Sequence, residues 1–201
     1  MKKIILASSS KTRQDVMKMF GLDYEIVKST REEFSLASDP KQYVMDLSLD
    51  KAESVMEQVK DKAIIIAADT VINMDGKIFE KPKSKEQAFN NIKSMIGKYT
   101  YLTTGVTIKD LYQDKQIQFS YETKVKFKDS ISDDEINWYV NNESDLFNRA
   151  GYAVLGKGIL FIESIDGDYT NIYGLPMHEV CNKLKELGYS MNDFNLKKWF
   201  Y

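Results

Sequence analysis

Two positions in the first half of the chain carry polar side chains that could do chemistry, and those at the first position suit a phosphate. Ser8, Ser10 and Arg13 follow an apolar segment at residues 3–7 and precede an amphipathic one. A turn that leads from a strand into a helix offers hydroxyls, free N–H groups and the positive helix end to a phosphate, and an arginine can bind two of its oxygens. The alternative is that Ser10 or Thr12 only caps the helix and Arg13 lies on the solvated surface.

Asp69 is the second candidate, and its chemistry is that of a proton acceptor. It directly follows residues 63–68, a continuous apolar segment typical of a strand buried on both faces. We expect the strand to end at Asp69 and Thr70, because the carboxyl ends of such strands are where α/β proteins assemble their sites. A partly desolvated carboxylate there is a better proton acceptor. The alternative is an aspartate that only initiates a turn.

Other charged residues are less distinctive, and thiol or imidazole chemistry has little support. Lys81 precedes Pro82, which restricts where the amine can reach. Lys51 and Glu33 cannot be told from surface charge by pattern alone. The chain has one histidine and one cysteine, which excludes a disulfide scaffold and a Cys/His zinc site. His178 and Cys181 lie on the last predicted helix, where the cysteine fits the apolar face and the histidine its flank.

Composition limits the partners that the protein can have. Among 201 residues, 28 Lys and Arg oppose 30 Asp and Glu, giving a net charge of -2. We therefore expect neither a nucleic acid nor a membrane as the main partner. The apolar segment near the N-terminus is too short for a signal peptide, and no segment approaches the ~20 apolar residues that span a bilayer. With a single cysteine, these features predict a cytoplasmic protein.

The elements that must position these residues alternate between helix and strand. Capping residues, glycines and apolar periodicity predict five helices, and alternating or continuous apolar segments predict the strands. The helices are expected after Ser10, over 41–58, after Ser84, after Ser132 and from Pro176 to Leu187. The strands are expected at 3–7, 24–27, 63–68, 71–74, 77–79, 101–109, 116–127 and 159–165, with a hairpin turn at Asp75 and Gly76. This pattern predicts an α/β fold with a long mixed sheet.

The order and spacing of these motifs resemble the Maf family of nucleotide pyrophosphatases over nearly the whole chain. Each motif alone is weak, and their joint order carries the resemblance. The matching segments are Ile5-Leu6-Ala7-Ser8-x-Ser10-x-x-Arg13, Glu33, Asp50-Lys51-Ala52, Ala68-Asp69-Thr70-Val71, Glu80-Lys81-Pro82, Gly97, Thr104-Gly105-Val106, Ala150-Gly151-Tyr152, Gly156-x-Gly158, Ile165-Asp166-Gly167-Asp168-Tyr169 and Gly174-Leu175-Pro176.

The resemblance implies an activity and a role for each matched residue. The activity is hydrolysis of a nucleoside triphosphate to the monophosphate and pyrophosphate with a divalent cation, Mg²⁺ or Mn²⁺, and it would remove non-standard or excess nucleotides. By similarity, Asp69 is the proton acceptor for water, and Glu33 and Asp69 bind the metal. The substrate-binding residues by the same similarity are Ser8, Ser10, Arg13, Lys51, Thr70, Lys81 and Leu155.

The resemblance also implies an architecture. It is a single domain over residues 1–201, in which an elongated mixed β-sheet flanked by helices forms two lobes with a central cleft, as in inosine triphosphatase. A homodimer is implied as well. The competing hypothesis is a nucleotide-binding regulator of cell division without turnover.

Two departures from the family pattern bear on specificity. Lys11 and Thr12 replace the proline and first arginine of the common Ser-Pro-Arg-Arg motif, while Arg13 is kept. Leu155 stands where the subgroup acting on dTTP and UTP has a glutamine that helps to select the base. Because leucine cannot supply the amide hydrogen bonds, the preferred base stays open.

Overall fold

A computed structural model describes residues 1–148 and 152–197, so Ala150 and Gly151 of the family-matching segment lie outside the described residues. The strands are β1 (Ile4–Ala7), β2 (Glu25–Ile26), β3 (Ile64–Met74), β4 (Lys77–Ile78), β5 (Tyr99–Asp110), β6 (Lys115–Phe127) and β7 (Ile162–Asp166). The α-helices are α1 (Lys11–Phe20), α2 (Pro40–Gln58), α3 (Lys85–Met95), α4 (Asp133–Asn142) and α5 (Met177–Glu186). Short 3₁₀ helices cover Leu146–Asn148, Gly156–Phe161, Tyr169–Tyr173 and Met191–Asp193.

The described strands form one mixed sheet, as the sequence predicts. Its order is β2-β1-β3-β5-β6-β7, and β4 pairs with the end of β3. β1 is parallel to both β2 and β3, whereas β3, β5, β6 and β7 are antiparallel neighbours. The short parallel part and the long antiparallel part therefore meet at β3.

The expectation that β3 ends at Asp69 and Thr70 is wrong. β3 continues to Met74 because β5 pairs with it in unbroken register from Ile64 to Asn73. Its other neighbour, β1, stops at Ala7, which pairs with Ala67. Asp69 therefore lies two residues beyond the point where β3 loses one of its neighbours. This position excludes the turn-initiating role and opens a space beside the strand.

Helix termini follow the predicted capping residues. Ser10, Ser84 and Ser132 each accept a backbone N–H in the first turn of α1, α3 and α4, and Ser132 forms a full capping box with Glu135. Gly21 ends α1 at a φ of 80°, a left-handed conformation that favours glycine. The hairpin turn at residues 75 and 76 is also confirmed, with positive φ at both positions.

The predicted strand at 159–165 is only half correct, since the chain forms a 3₁₀ helix over Gly156–Phe161 and enters β7 at Ile162. The reason is a close backbone approach at Gly158. A Cβ there would lie 1.7 Å from the carbonyl oxygen of Ala153. The chain folds back on itself at this contact, which a pleated strand does not allow.

Two apolar clusters divide the molecule into the expected lobes. One packs α1 and α5 on β1, β3 and β5 around residues such as Leu6, Met17 and Leu184. The other packs α3 and α4 on β5 and β6 around residues such as Ile136 and Phe127. A third, smaller cluster lies beneath α2. Within the described ranges, no helix has both the length and the apolar character needed to cross a bilayer.

Helix α2 lies unusually close to the sheet at one point. A Cβ on Gly105 of β5 would lie 2.3 Å from both the carbonyl carbon and oxygen of Val44 in α2. Gly105 is also the residue that pairs with Asp69 in the β3–β5 register. A glycine on β5 thus lets the helix backbone approach the sheet next to the candidate catalytic carboxylate.

Candidate active site

A cleft of about 1230 Å³ lies between the two lobes and collects most of the predicted site residues. Those that line it are Ser8, Ser10, Arg13, Glu33, Lys51, Asp69, Thr70 and Lys81. They come from the end of β1, the start of α1, the loop before α2, α2 itself, the middle of β3 and the segment after β4. Leu155 is half-buried and is not one of the lining residues. Its role in base selection stays a prediction.

Arg13 is buried rather than solvated, which excludes the surface alternative. Only 9% of the residue is exposed. Its Nε donates to the carbonyl of Gly174 (2.7 Å), and its Nη2 and Nη1 donate to the hydroxyls of Thr70 (3.0 Å) and Ser8 (3.4 Å). Burial lowers the pKa of Arg13, and the charges of Asp69 and Glu33 oppose this shift. A guanidinium stays protonated under these conditions, so Arg13 is a fixed positive charge.

The serine loop orders itself around the start of α1. The backbone N–H of Ser10 donates to the hydroxyl of Ser8 (3.1 Å), and the hydroxyl of Ser10 caps the helix by accepting from the N–H of Arg13 (3.4 Å). The capping alternative for Ser10 is therefore correct, and it does not remove Ser10 from the cleft. The start of α1 directs its N–H groups and its positive dipole end to the same region.

Asp69, Lys51 and Glu33 form a charged triad on the cleft wall. The Nζ of Lys51 contacts Oδ1 of Asp69 and lies 3.7 Å from Oε2 of Glu33. The side chains of Lys51 and Asp69 are only 14% and 19% exposed. Lys51 reaches Asp69 from α2, which the glycine of β5 holds close to the sheet. Lys51 and Glu33, which the sequence pattern could not separate from surface charge, thus lie beside the candidate base.

The loop that carries Glu33, residues 28–38, is fastened to α2 by a row of polar side chains that sequence reasoning missed. The row is Asp46, Asp50 and Ser54, which accept from the Ser35 hydroxyl (2.6 Å), the Phe34 N–H (3.0 Å) and the Thr30 N–H (2.9 Å). Residues four apart lie on one face of a helix. That spacing of polar residues in the sequence was the available signal. The anchored loop holds Glu33 in position over the cleft.

The far wall of the cleft is mainly apolar and suits a flat ring. The apolar and aromatic residues that line it are Ile72, Ile78, Phe79, Leu102, Tyr152, Ala153, Val154 and Ile172. Tyr152 is 1% exposed and shares a hydrogen bond of 2.8 Å with the Thr100 hydroxyl, and burial raises the pKa of its phenol. Apolar clefts with a few fixed polar groups are typical of small-ligand sites.

Two further lysines line the cleft and were not predicted as site residues. Lys11, at the first position of α1, and Lys28, in the loop before α2, both belong to the lining. They add positive charge to the cleft that also holds Arg13. The sequence offered a signal for Lys11 only, since it replaces the proline of the family motif.

His178 and Cys181 play no part in the cleft. Neither lines it; His178 is exposed, and Cys181 packs against the apolar cluster of α1 and α5. Burial raises the pKa of the Cys181 thiol to about 11. The thiol is therefore protonated near neutral pH and unsuited to nucleophilic attack.

The donor atoms at the triad fit a hard divalent cation. Within the described residues, no group of three or more His, Cys, Asp or Glu side chains could hold a metal ion. Glu33 and Asp69 nevertheless present two carboxylates next to the same ammonium. Mg²⁺ is usually bound by one or two carboxylates together with substrate phosphates rather than by a full protein cage. The two carboxylates that line the cleft match that requirement.

Comparisons with known proteins identify the family of the chain. The model of the Maf-like protein family matches residues 3–187. A dTTP/UTP pyrophosphatase of Thermoanaerobacter sp. (strain X514) is 39% identical over 183 residues, which cover 91% of this chain and 95% of that protein. A dTTP/UTP pyrophosphatase of Fusobacterium nucleatum is 35% identical over 192 residues, covering 94% of this chain and 97% of that protein.

A solved structure shares the fold at low sequence identity. The HAM1 protein of Coxiella burnetii superposes with a TM-score of 0.55 and 11% identity, covering 92% of this chain and all of that one (100%). The family model spans most of the chain and the relatives match it nearly end to end. The chain belongs to the Maf-like protein family.

Proposed function

We propose that this protein hydrolyses nucleoside triphosphates between the α and β phosphates, releasing the nucleoside monophosphate and pyrophosphate. The cleft is the active site. Asp69 accepts the proton of the attacking water, and Arg13, Lys51 and Lys81 bind the phosphates with the serine loop and Thr70. The products of one turnover are one monophosphate and one pyrophosphate, and the water supplies the new oxygen on the α phosphate.

The observation that carries this proposal is the grouping of Asp69 with fixed and mobile cations in one cleft. Arg13 is held by three protein groups and so presents its remaining N–H groups in a fixed direction. Lys51 contacts Asp69 from α2. Phosphoryl transfer depends mainly on positioning and on charge stabilisation, which a fixed guanidinium and a nearby lysine supply.

A divalent cation, Mg²⁺ or Mn²⁺, completes the proposed site, with Glu33 and Asp69 as its protein ligands. When bound, the cation neutralises phosphate charge and orients the reacting groups. A triphosphate carries a charge of about −4 near neutral pH, and one divalent cation roughly halves it. The three proposed cationic side chains offset the remainder, which explains why the protein needs no strongly basic surface.

The enzyme is favoured over the nucleotide-binding regulator. The similar proteins are named as pyrophosphatases. In addition, the carboxylate of Asp69 lies among the proposed phosphate-binding residues, and a binding module without turnover would not need a base there. The same names make dTTP and UTP the first candidate substrates. Because Leu155 replaces the glutamine linked to that base choice, we propose triphosphates as the class and leave the base to measurement.

The test is a product assay over a panel of nucleotides. Purified protein with Mg²⁺ or Mn²⁺ is incubated with the normal, methylated and deaminated nucleoside triphosphates, and the products are identified by ³¹P NMR. We expect pyrophosphate and a monophosphate from at least one nucleotide. Release of orthophosphate and a diphosphate would contradict the proposed bond cleavage, and saturable binding with no product over hours would favour the regulator.

Further parts of the proposal concern the setting of the enzyme. We propose that residues 1–201 form a single domain, since the family model spans 3–187. We also propose a cytoplasmic homodimer that removes non-standard or excess nucleotides. Sedimentation of the purified protein tests the dimer, and the ranking of the deaminated and methylated nucleotides in the panel tests the cellular task.

A further inference from the structure

Lys51 occupies the place between the two carboxylates that face the cleft. Its Nζ contacts Oδ1 of Asp69, lies 3.7 Å from Oε2 of Glu33 and lies 3.5 Å from the carbonyl oxygen of Ala68. The side chains of Lys51 and Asp69 are mostly shielded from solvent. The ammonium is therefore held by protein oxygens at the position where a metal ion would have to bind.

On the basis of the function proposed above, we propose that Lys51 is an internal counter-ion that excludes a bare divalent cation from Asp69 and Glu33. The cation then enters the site only together with a nucleoside triphosphate. Lys51 thereby sets the order of binding, a role additional to its contact with the phosphates.

A divalent cation would compete with Lys51 for the same carboxylate oxygens. A cation that approaches Asp69 and Glu33 meets an ammonium already bound to one of them, and like charges a few ångströms apart in a partly buried site repel strongly. The cation must displace Lys51 or bind beside it. Within the described residues, no third acidic, histidine or cysteine side chain joins the pair to compensate for that repulsion.

Lys51, unlike Arg13, is free to change partners. Arg13 is held by Gly174, Thr70 and Ser8, and these bonds are part of the structure of the lobe. A lysine is a point charge with three N–H groups on a flexible stem, so it can turn from a carboxylate to a phosphate without loss of packing. A triphosphate in the cleft offers it the anionic oxygens needed for that exchange.

The exchange of Lys51 from carboxylate to phosphate also prepares the site for catalysis. Once Lys51 binds phosphate, Oδ1 of Asp69 is released to accept a hydrogen bond from water, and the two carboxylates are released to the incoming cation. The positive charge of Lys51 that leaves the carboxylates is replaced by the divalent cation that arrives with the nucleotide. Substrate binding and formation of the metal site are therefore one event.

The experiment measures Mn²⁺ binding to the nucleotide-free protein. The electron paramagnetic resonance signal of free Mn²⁺ is titrated with wild-type protein and with the variants Lys51→Met, Lys51→Gln and Lys51→Arg. The matched control is Lys41→Met, which removes another lysine of α2 that pairs with a strand carboxylate, Glu122 at 2.7 Å. Thermal unfolding identifies the variants that are folded, and either neutral variant suffices.

We expect Mn²⁺ to bind the neutral Lys51 variants about ten- to a hundredfold more tightly than it binds wild type, Lys51→Arg or Lys41→Met. The gain should vanish in the double variant Lys51→Met/Asp69→Asn. Equal Mn²⁺ affinity in wild type and the neutral variants overturns the proposal, as does a gain that survives the loss of the Asp69 carboxylate or appears equally in Lys51→Arg.

Failure of this inference and failure of the proposed function give different results. Mn²⁺ binding is measured without nucleotide and does not depend on turnover. A protein that releases pyrophosphate but shows no effect of Lys51 on Mn²⁺ affinity keeps the proposed function and loses the binding order. A protein whose Mn²⁺ affinity depends on Lys51 but which turns over no nucleotide keeps the counter-ion role and loses the activity.

Discussion

Replacing Asp69 by asparagine removes the proposed base while keeping the shape of the side chain. The amide can still accept a hydrogen bond from Lys51, which also retains Glu33 at 3.7 Å and the carbonyl of Ala68 at 3.5 Å. The lost charge interaction is partly solvent-screened, since the side chains are 14% and 19% exposed, so we expect it to cost about 1 kcal/mol of stability. For a chain of this length, that lowers Tm by about 2–4 °C.

The effect on catalysis should be far larger than the effect on stability. General-base assistance contributes about 10²–10⁴ to a rate, which corresponds to about 2.7–5.4 kcal/mol in the activation free energy. We therefore expect kcat for pyrophosphate release to fall by that factor in Asp69→Asn. A coupled pyrophosphate assay gives kcat, and calorimetry with a non-hydrolysable triphosphate checks that nucleotide still binds.

Glu122→Gln is the matched control. It also neutralises a strand carboxylate that pairs with a lysine of α2, since Glu122 accepts from Lys41 at 2.7 Å and from Thr103 at 3.0 Å, but it lies outside the cleft. We expect its kcat to stay within about threefold of wild type, because no substrate group reaches it. An Asp69→Asn variant that keeps more than a tenth of wild-type kcat, or two variants with equal losses, would refute the assignment of Asp69 as the base.

Three other perturbations test the surroundings of the site. Gly105→Ala places a Cβ 2.3 Å from the backbone of Val44, so we expect about 1–3 kcal/mol of destabilisation in denaturant unfolding and a lower kcat, whereas an unchanged midpoint would contradict the close approach. Ser132→Ala should cost about 0.5–2 kcal/mol. Hydrogen bonds from the backbone N–H and the hydroxyl of Ser132 lower the pKa of Glu135, and the variant loses only the hydroxyl. The stabilisation linked to the lowered pKa is present above the usual glutamate range and is lost as the pH falls through the lowered pKa, so unfolding of the variant should show less of this acid sensitivity. Because burial raises the pKa of Cys181 to about 11, iodoacetamide should alkylate it much more slowly at pH 8 than an exposed cysteine, and equal rates would show that the thiol is accessible.

The sequence predicts the helices and the mixed sheet well because their signals are local. Ser10, Ser84 and Ser132 cap helices by contacts within one turn, and the turn at Asp75 and Gly76 depends on two positive φ angles. The end of β3 was mispredicted because it depends on a neighbour. Continued pairing with β5 keeps β3 extended past Asp69, although the apolar pattern changes there.

The site shows the same division between local and long-range information. Ser8, Ser10 and Asp69 are recognisable from their positions after apolar segments. The burial of Arg13 is not, because its partner Gly174 is 161 residues away in the chain. The triad of Lys51, Asp69 and Glu33 is likewise formed by elements that meet only in the folded protein. The spacing of these residues in the sequence therefore does not identify them as a group.

The bond from Arg13 to Gly174 has a consequence for the order in which the protein becomes functional. Its acceptor is synthesised 161 residues after its donor, so the bond cannot form while the ribosome is still adding the strands between them. Gly174 has a positive φ of 86°, and its missing Cβ leaves space for Arg13 and Thr70. The bond therefore forms only when this glycine has its folded conformation. Contacts between distant parts of a chain are also the slow ones in folding. A nascent or truncated chain that lacks Gly174 therefore leaves Arg13 without its shortest hydrogen bond, and we expect nucleotide turnover only once this segment is in place.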